Sequence, residues 1–184
     1  MDSVPGEIRV TRLLGGLASD TEAPMPQEMR HYLESTWKRI QQRIPGTEFN
    51  FDFWRLCEPR RSTWRACRAV IAARSQNPDA EERMISAIQR AYYLDACNPS
   101  NRETLGKLAK SLGLDESLFL EHLDGPDCQT RLDHEMALCR QLGLTSFPSL
   151  ALETGGTTWP IAVDYRDPNA MIEQIEMLTE SAAN

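Results

Sequence analysis

Residues 142–152, Leu-Gly-Leu-Thr-Ser-Phe-Pro-Ser-Leu-Ala-Leu, pass from helical to extended periodicity across one short loop, and that junction limits what the chain can become. Gly143 follows the last residue of a helical apolar stripe and reads as a helix stop. Pro148 opens an apolar strand, Leu150-Ala151-Leu152, where its missing N–H is tolerated only at an unpaired position. An X-Pro bond in so short a connection is a candidate cis peptide, against a general cis frequency of about 5–6%. Gly155-Gly156 then predicts a hairpin turn, with Trp159–Val163 returning antiparallel. Asp167-Pro168 is an N-cap followed by proline at the first helical position. The final helix places Met171, Ile172, Ile175 and Leu178 toward that hairpin.

Extended patterning elsewhere is sparse. Residues Glu7–Leu14 alternate polar and apolar up to Leu13-Leu14 and predict a strand ended by Gly15-Gly16. Asn50-Phe51-Asp52-Phe53-Trp54 carries aromatics at alternate positions and predicts a short extended segment. Helical stripes fill the rest. Met29, Leu33, Trp37, Ile40 and Ile44 share one face and stop at Pro45-Gly46. Ser62 opens a helix through Cys67, Val70 and Ile71; Met84, Ile85, Ile88 and Tyr92 mark the next. Ser100 and Glu103 have the spacing of a capping box, and Asp115 caps a further helix. The last runs from about Pro126 to Leu142 with Cys128, Leu132, Met136 and Cys139 on one stripe. Three strands and six or seven helices are expected, with helix throughout residues 26–142.

Composition narrows the partners. The 184 residues are 41% apolar and 26% charged, an ordinary globular balance, and the net charge of −7 disfavours nucleic acid or an anionic membrane as partner. No apolar run reaches the roughly 18 residues that span a bilayer. The segment Met1–Glu7 lacks the basic and apolar regions of a secretion signal, so a cytoplasmic location is expected. The five cysteines, Cys57, Cys67, Cys97, Cys128 and Cys139, are odd in number and irregular in spacing, which suits a reducing compartment. No Cys-x-x-Cys occurs, the three histidines stand apart, and neither a metal site nor a cofactor is expected. Cys128 and Cys139 lie about 16 Å apart along one helix, beyond the ~7 Å Cα separation a disulfide allows. Cys67, between Arg65 and Arg68, is the best placed to ionise if exposed, although its helix favours burial. Cys57 and Cys97 sit near element ends, where either can approach it.

The order of helix, Phe147-Pro148 loop, strand, Gly-Gly hairpin, strand and helix resembles the closing half of a thioredoxin fold. Leu13–Ala18, Asn50–Trp54, Arg60–Thr63, Ala66–Ala69 and Ala87–Tyr93 are similar to the DsbA-type thiol-disulfide oxidoreductases, particularly their cytosolic FrnE-like branch. The resemblance implies an α-rich α/β protein with a thioredoxin-like part at 1–25 and 143–184 and an all-helical insertion at 26–142. It further implies that the strand and helix carrying Cys-x-x-Cys precede Ile8–Leu14. Neither has a counterpart in this sequence, so no catalytic residue is carried over. The expectation is a shortened form of a longer enzyme. Direct pairing of Ile8–Leu14 with the Pro148 strand, or a partner chain filling the gap, are the other two explanations.

Of the family's functional positions Ser146, Phe147 and Pro148 remain, and the resemblance makes them the substrate-binding residues. There an extended peptide thiol or disulfide, or glutathione, is held by main-chain hydrogen bonds. Two alternatives to an oxidoreductase are a non-catalytic thioredoxin-fold module and a glutathione-dependent isomerase or transferase of the kappa or 2-hydroxychromene-2-carboxylate isomerase type. The aromatics Phe49, Phe51, Phe53, Trp54, Trp64, Tyr92 and Tyr93 form either a groove or, more commonly, core. Self-association is expected if a sheet edge lies open.

Overall fold

The computed structural model describes residues 8–182. Among them eight helices and two strands form, in the order α1 Gln27–Arg43, α2 Asp52–Leu56, α3 Trp64–Gln76, α4 Ala80–Tyr93, α5 Arg102–Ser111, α6 Glu116–Asp124, α7 Pro126–Gln141, β1 Leu150–Thr154, β2 Thr157–Ile161 and α8 Pro168–Ala182. The chain divides into two compact units. Among the described residues, one comprises 8–15 together with 134–182, and the other is Gly16–Asp133. No helix among the described residues is long and apolar enough to cross a membrane.

The helical unit is assembled on α3, which packs against α4, α5 and α6. Ala69, Ala72 and Ala73 are fully buried there, and their short side chains let neighbouring helices approach closely. Ile71, Met84, Leu105, Ala109, Phe119 and Leu123 fill the space between. Arg68 is also buried, and its guanidinium is neutralised by Asp20 at 2.7 Å and donates to Gln129 Oε1 at 2.7 Å. Those partners offset the cost of taking the charge from water. Asp115 caps α6 as its sequence position predicts, accepting from the Leu118 N–H at 2.9 Å.

A second cluster in the same unit centres on Trp37 of α1, with Phe53 and Trp54 of α2 buried against it. Phe49 stacks on the Trp37 ring at 4.8 Å, and Tyr92 meets it edge-on at 5.3 Å. Most of the aromatic set is therefore core. Trp64 lies apart from that set, donating from its indole to the Gly16 carbonyl at 2.8 Å.

Three local expectations are corrected. Asn50–Trp54 is not extended: Asn50 Oδ1 accepts from the Asp52 N–H at 3.0 Å and turns the chain into α2. Helical spacing then brings the adjacent Phe53 and Trp54 both onto Trp37, where alternation would have sent them to opposite faces. Ser100 forms no capping box, because it is buried with its hydroxyl donating to the Ser62 carbonyl, and α5 begins later with Asn101 at the N-cap. The Ile8–Leu14 segment forms no strand, and Glu7 lies outside the described residues. Alternation supplies the side chains of a strand but not its partner, and the Leu14 N–H goes instead to the Glu135 carboxylate at 2.8 Å.

In the other unit β1 and β2 form an antiparallel hairpin, with Leu150 opposite Ile161 and Leu152 opposite Trp159. Leu152 and Ile161 are buried, and α8 packs against both strands. Pro168 opens α8, with Asp167 accepting from the Asn169 N–H at 3.0 Å.

Two substitutions separate burial from capping in α6. Phe119→Ala is expected to lower unfolding free energy by about 3–5 kcal/mol, and Asp115→Ala by about 1 kcal/mol. Urea denaturation followed by circular dichroism measures both; equal losses would contradict the ranking.

Candidate functional site

The loop between α7 and β1 is defined by its own bonds. Gly143 has φ +71°, a left-handed conformation suited to glycine. Its N–H donates to the Arg140 carbonyl at 3.1 Å, while the Leu144 N–H reaches back to Cys139 at 2.8 Å. That pair of bonds is a Schellman termination, and it turns the chain off the helix axis. Further on, the Ser149 hydroxyl donates to the Ser146 carbonyl, closing a turn around Phe147 and Pro148. The Ser146 and Ser149 hydroxyls are 3.3 Å apart. The Phe147–Pro148 peptide is cis.

Ser146, Phe147 and Pro148 are all exposed, Phe147 by 43%. The covered side of the Phe147 ring rests on Gly15. An ideal Cβ there would lie 2.0 Å from Phe147 Cε1 and Cζ, so the ring occupies the space that any other residue's side chain would need. Gly15 is positioned in turn by the Leu14 bond to Glu135 on α7. In the sequence Gly15 is only a turn signal; its role as a platform depends on a contact 132 residues away along the chain and leaves no local trace. Among the described residues nothing bonds the Phe147 N–H or C=O, so one donor and one acceptor remain open beside an aromatic ring. A partner in extended conformation can pair with such groups.

The five cysteines are thiols, and their surroundings differ. Cys128 is buried and donates to the Arg68 carbonyl at 3.2 Å; burial pushes its pKa up to about 11, despite the opposing pull of Arg68. Cys139 is also buried, with its thiol shifted upward first by burial and then by the Glu135 charge. Both stand on the stripe with Leu132 and Met136, as small hydrophobic groups. Cys67 is half-buried in α3. The arginines flanking it are engaged elsewhere: Arg65 donates to the Ser100 carbonyl at 2.8 Å, and Arg68 pairs with Asp20. Cys57 is half-buried and Cys97 exposed. Among the described residues no three His, Cys, Asp or Glu side chains converge as metal ligands.

The sequence profile of the thioredoxin family matches residues 21–154. Among solved structures, a candidate protein disulfide isomerase from Nitrosomonas europaea is similar at 25% identity and a TM-score of 0.75, over 90% of this chain and 80% of that one. The cytosolic disulfide reductase DsbM from Pseudomonas aeruginosa is similar at 26% identity and a TM-score of 0.70, over 91% of this chain and 82% of that one. The same reductase solved with GSH is similar at 25% identity and a TM-score of 0.65, over 91% and 80% of the two chains. No curated relative matches the chain at a significant level.

Gly15→Ala is expected to drive the Phe147 ring off its platform and destabilise the chain by about 1–3 kcal/mol. Adding Phe147→Ala should recover most of that loss, a coupling that a thermodynamic cycle of the four proteins measures. Additive losses would mean that the contact is not the cause. For Cys128 the folded pKa lies above the ordinary 9.0, so its stabilising contribution is complete below pH 9 and fades as pH rises toward 11. The melting temperature of the native chain should therefore fall more steeply across that window than that of Cys128→Ala.

Proposed function

Because the chain belongs to the thioredoxin family, as a DsbA-type member of the thioredoxin fold, we propose that its Ser146-Phe147-Pro148 loop is the substrate-binding edge of a thiol-disulfide oxidoreductase. The observation that carries this reading is the exposed Phe147, with open main-chain groups on both sides of its α-carbon, immediately before β1. An extended peptide or a glutathione backbone would donate to the Phe147 carbonyl and accept from its N–H, adding a short strand. The aromatic ring, fixed on Gly15, would supply apolar contact beside those bonds. The Ser146 and Ser149 hydroxyls, 3.3 Å apart, hold the loop in shape, and Ser146 and Pro148 complete the proposed substrate-binding edge on either side of Phe147.

Binding and turnover are separate properties here. Thiol-disulfide exchange needs a thiolate attacking along the S–S axis, and in this fold a helix N-terminus lowers the pKa of the first cysteine. The 184 residues contain no Cys-x-x-Cys, so the loop is proposed to bind thiols without exchanging them. Residues 26–142 are read as the helical insertion and the remainder as the thioredoxin-like part. The cytosolic reductase among the similar structures supports a cytoplasmic setting. A glutathione-dependent isomerase or transferase is the second reading, favoured by the similarity to the reductase solved with GSH.

The test is a titration of the 15N-labelled chain with reduced glutathione and with an extended cysteine-containing peptide. Amide shifts are expected at Ser146–Leu150, and Phe147→Ala should weaken peptide binding about tenfold, or ~1.4 kcal/mol. Insulin reduction by the chain should stay at the uncatalysed rate. Shifts confined to residues outside the loop would refute the site, and catalysed insulin reduction would refute the separation of binding from turnover.

A further inference from the structure

Cys57 and Cys97 are forty residues apart in sequence, yet the helical unit brings the Cys57 thiol against the main chain next to Cys97. Cys57 ends α2 in an extended conformation, its N–H bonded to the Phe53 carbonyl at 3.0 Å. Cys97 lies in the connection from α4 to α5, where Ala96 adopts φ +51°, a conformation L-residues usually avoid. That turn is tied down on both sides. The Cys97 N–H donates to the Ala91 carbonyl at 2.8 Å, and Asn98 Nδ2 donates to the Glu58 carbonyl at 3.0 Å.

The Cys57 thiol donates to the Ala96 carbonyl at 3.1 Å, the residue directly before Cys97. With ordinary peptide geometry, Cys57 Sγ is therefore within about 6 Å of the Cys97 α-carbon. Cys97 is exposed, its thiol resting weakly on the Asp95 carbonyl at 3.4 Å, so rotation about one bond swings it. Burial raises the Cys57 pKa first, and the nearby Cys97 charge raises it further. Both Cys57 and Ala96 pack on the Trp37–Phe53–Trp54 cluster, which keeps the two segments together.

We propose that Cys57 and Cys97 are a dithiol that a low-molecular-weight disulfide of the glutathione type oxidises to an intrachain disulfide. The exposed Cys97, as thiolate, attacks one sulfur of the oxidised glutathione. That S–S bond breaks, one glutathione leaves as thiolate, and a mixed disulfide forms on Cys97. Cys57 then gives up its proton and its sulfur attacks Cys97 Sγ, expelling the second glutathione as the Cys57–Cys97 bond forms. Two protein thiols are oxidised, one glutathione disulfide is reduced to two glutathiones, and the two thiol protons end on them. The division of roles follows from accessibility: Cys97 can be reached by a bulky disulfide, and the half-buried Cys57 only by a sulfur already beside it. Transient disulfides of this kind are the form expected of a chain in a reducing compartment.

The test uses the full reduced chain incubated with oxidised glutathione, quenched with iodoacetamide and analysed by intact mass and tryptic mapping. The expected product links the peptides Leu56–Arg60 and Ala91–Arg102 and releases two glutathiones per chain. Cys57→Ser should stop at a persistent glutathionyl group on Cys97, and in Cys97→Ser the reaction of Cys57 should slow by about tenfold or more. Circular dichroism checks that both variants fold, and the wild-type map stands without them. Separate alkylation or glutathionylation of the two thiols in the wild-type chain, or a linkage through Cys67 instead, would overturn the proposal. Neither result bears on the Phe147 loop, which is read by peptide binding.

Discussion

The indole of Trp37 is the contact that ties α1 and α2 to the end of α4 within the helical unit. In helix α1 the buried residue is Trp37, so the helix's attachment rests on what this one ring touches. Phe49, Phe51, Phe53, Trp54, Tyr92 and Tyr93 all place their rings within 6.0 Å of it. Edge-to-face and offset pairs of this kind contribute about 0.5–1.5 kcal/mol each beyond area burial. They also join three sequence-distant segments: α1, the turn into α2, and the end of α4. Remove that node and the connections on either side of Cys57 and Ala96 lose their common support, because both residues pack on the same cluster.

What could be read from the sequence, and what could not, follows the range of the interactions involved. The long helices were legible because their stripes repeat within a window, and the α6 cap because Asp115 bonds only three residues away. The closing hairpin was legible because Gly155-Gly156 announces its turn. Asn50–Trp54 was misread because aromatic alternation suggests a strand, while the deciding bond is an asparagine side chain turning its own backbone. Ser100 had the right spacing for a cap but was drawn into the loop with Asn98 and Ser62. Residues 8–14 were misread for a different reason. A strand is a property of two segments, and a pattern within one cannot supply the other.

The candidate loop divides along the same line. Gly143 and Phe147-Pro148 stand out in the sequence because glycine and proline restrict the backbone wherever they occur. The platform beneath the ring does not, since it depends on the absence of a side chain at Gly15, and a glycine before another glycine reads as an ordinary turn. The thiols are still less legible. Five cysteines with no regular spacing look equivalent in sequence, yet two are sealed in the α7 stripe, one is half-buried in α3, and the Cys57 thiol lies against the main chain just before the exposed Cys97. Burial and neighbours separate them, and neither is written in spacing.

The candidate loop between α7 and β1 takes its shape from a small set of contacts. Among the described residues, the bonds that shape residues 143–149 come from within the loop or from the end of α7: the Gly143 and Leu144 amides to the last helical turn, and Ser149 to Ser146. The ring of Phe147 is seated by Gly15, which is held through Leu14 to Glu135 of the same helix. None of these contacts needs a cysteine thiol, since Cys139 takes part only through its main-chain carbonyl. The conformation of the edge and the chemistry of exchange are therefore separable parts of the fold, supported by different residues. A chain that keeps the first can still present an ordered ring with an open donor and acceptor, whatever supplies the second.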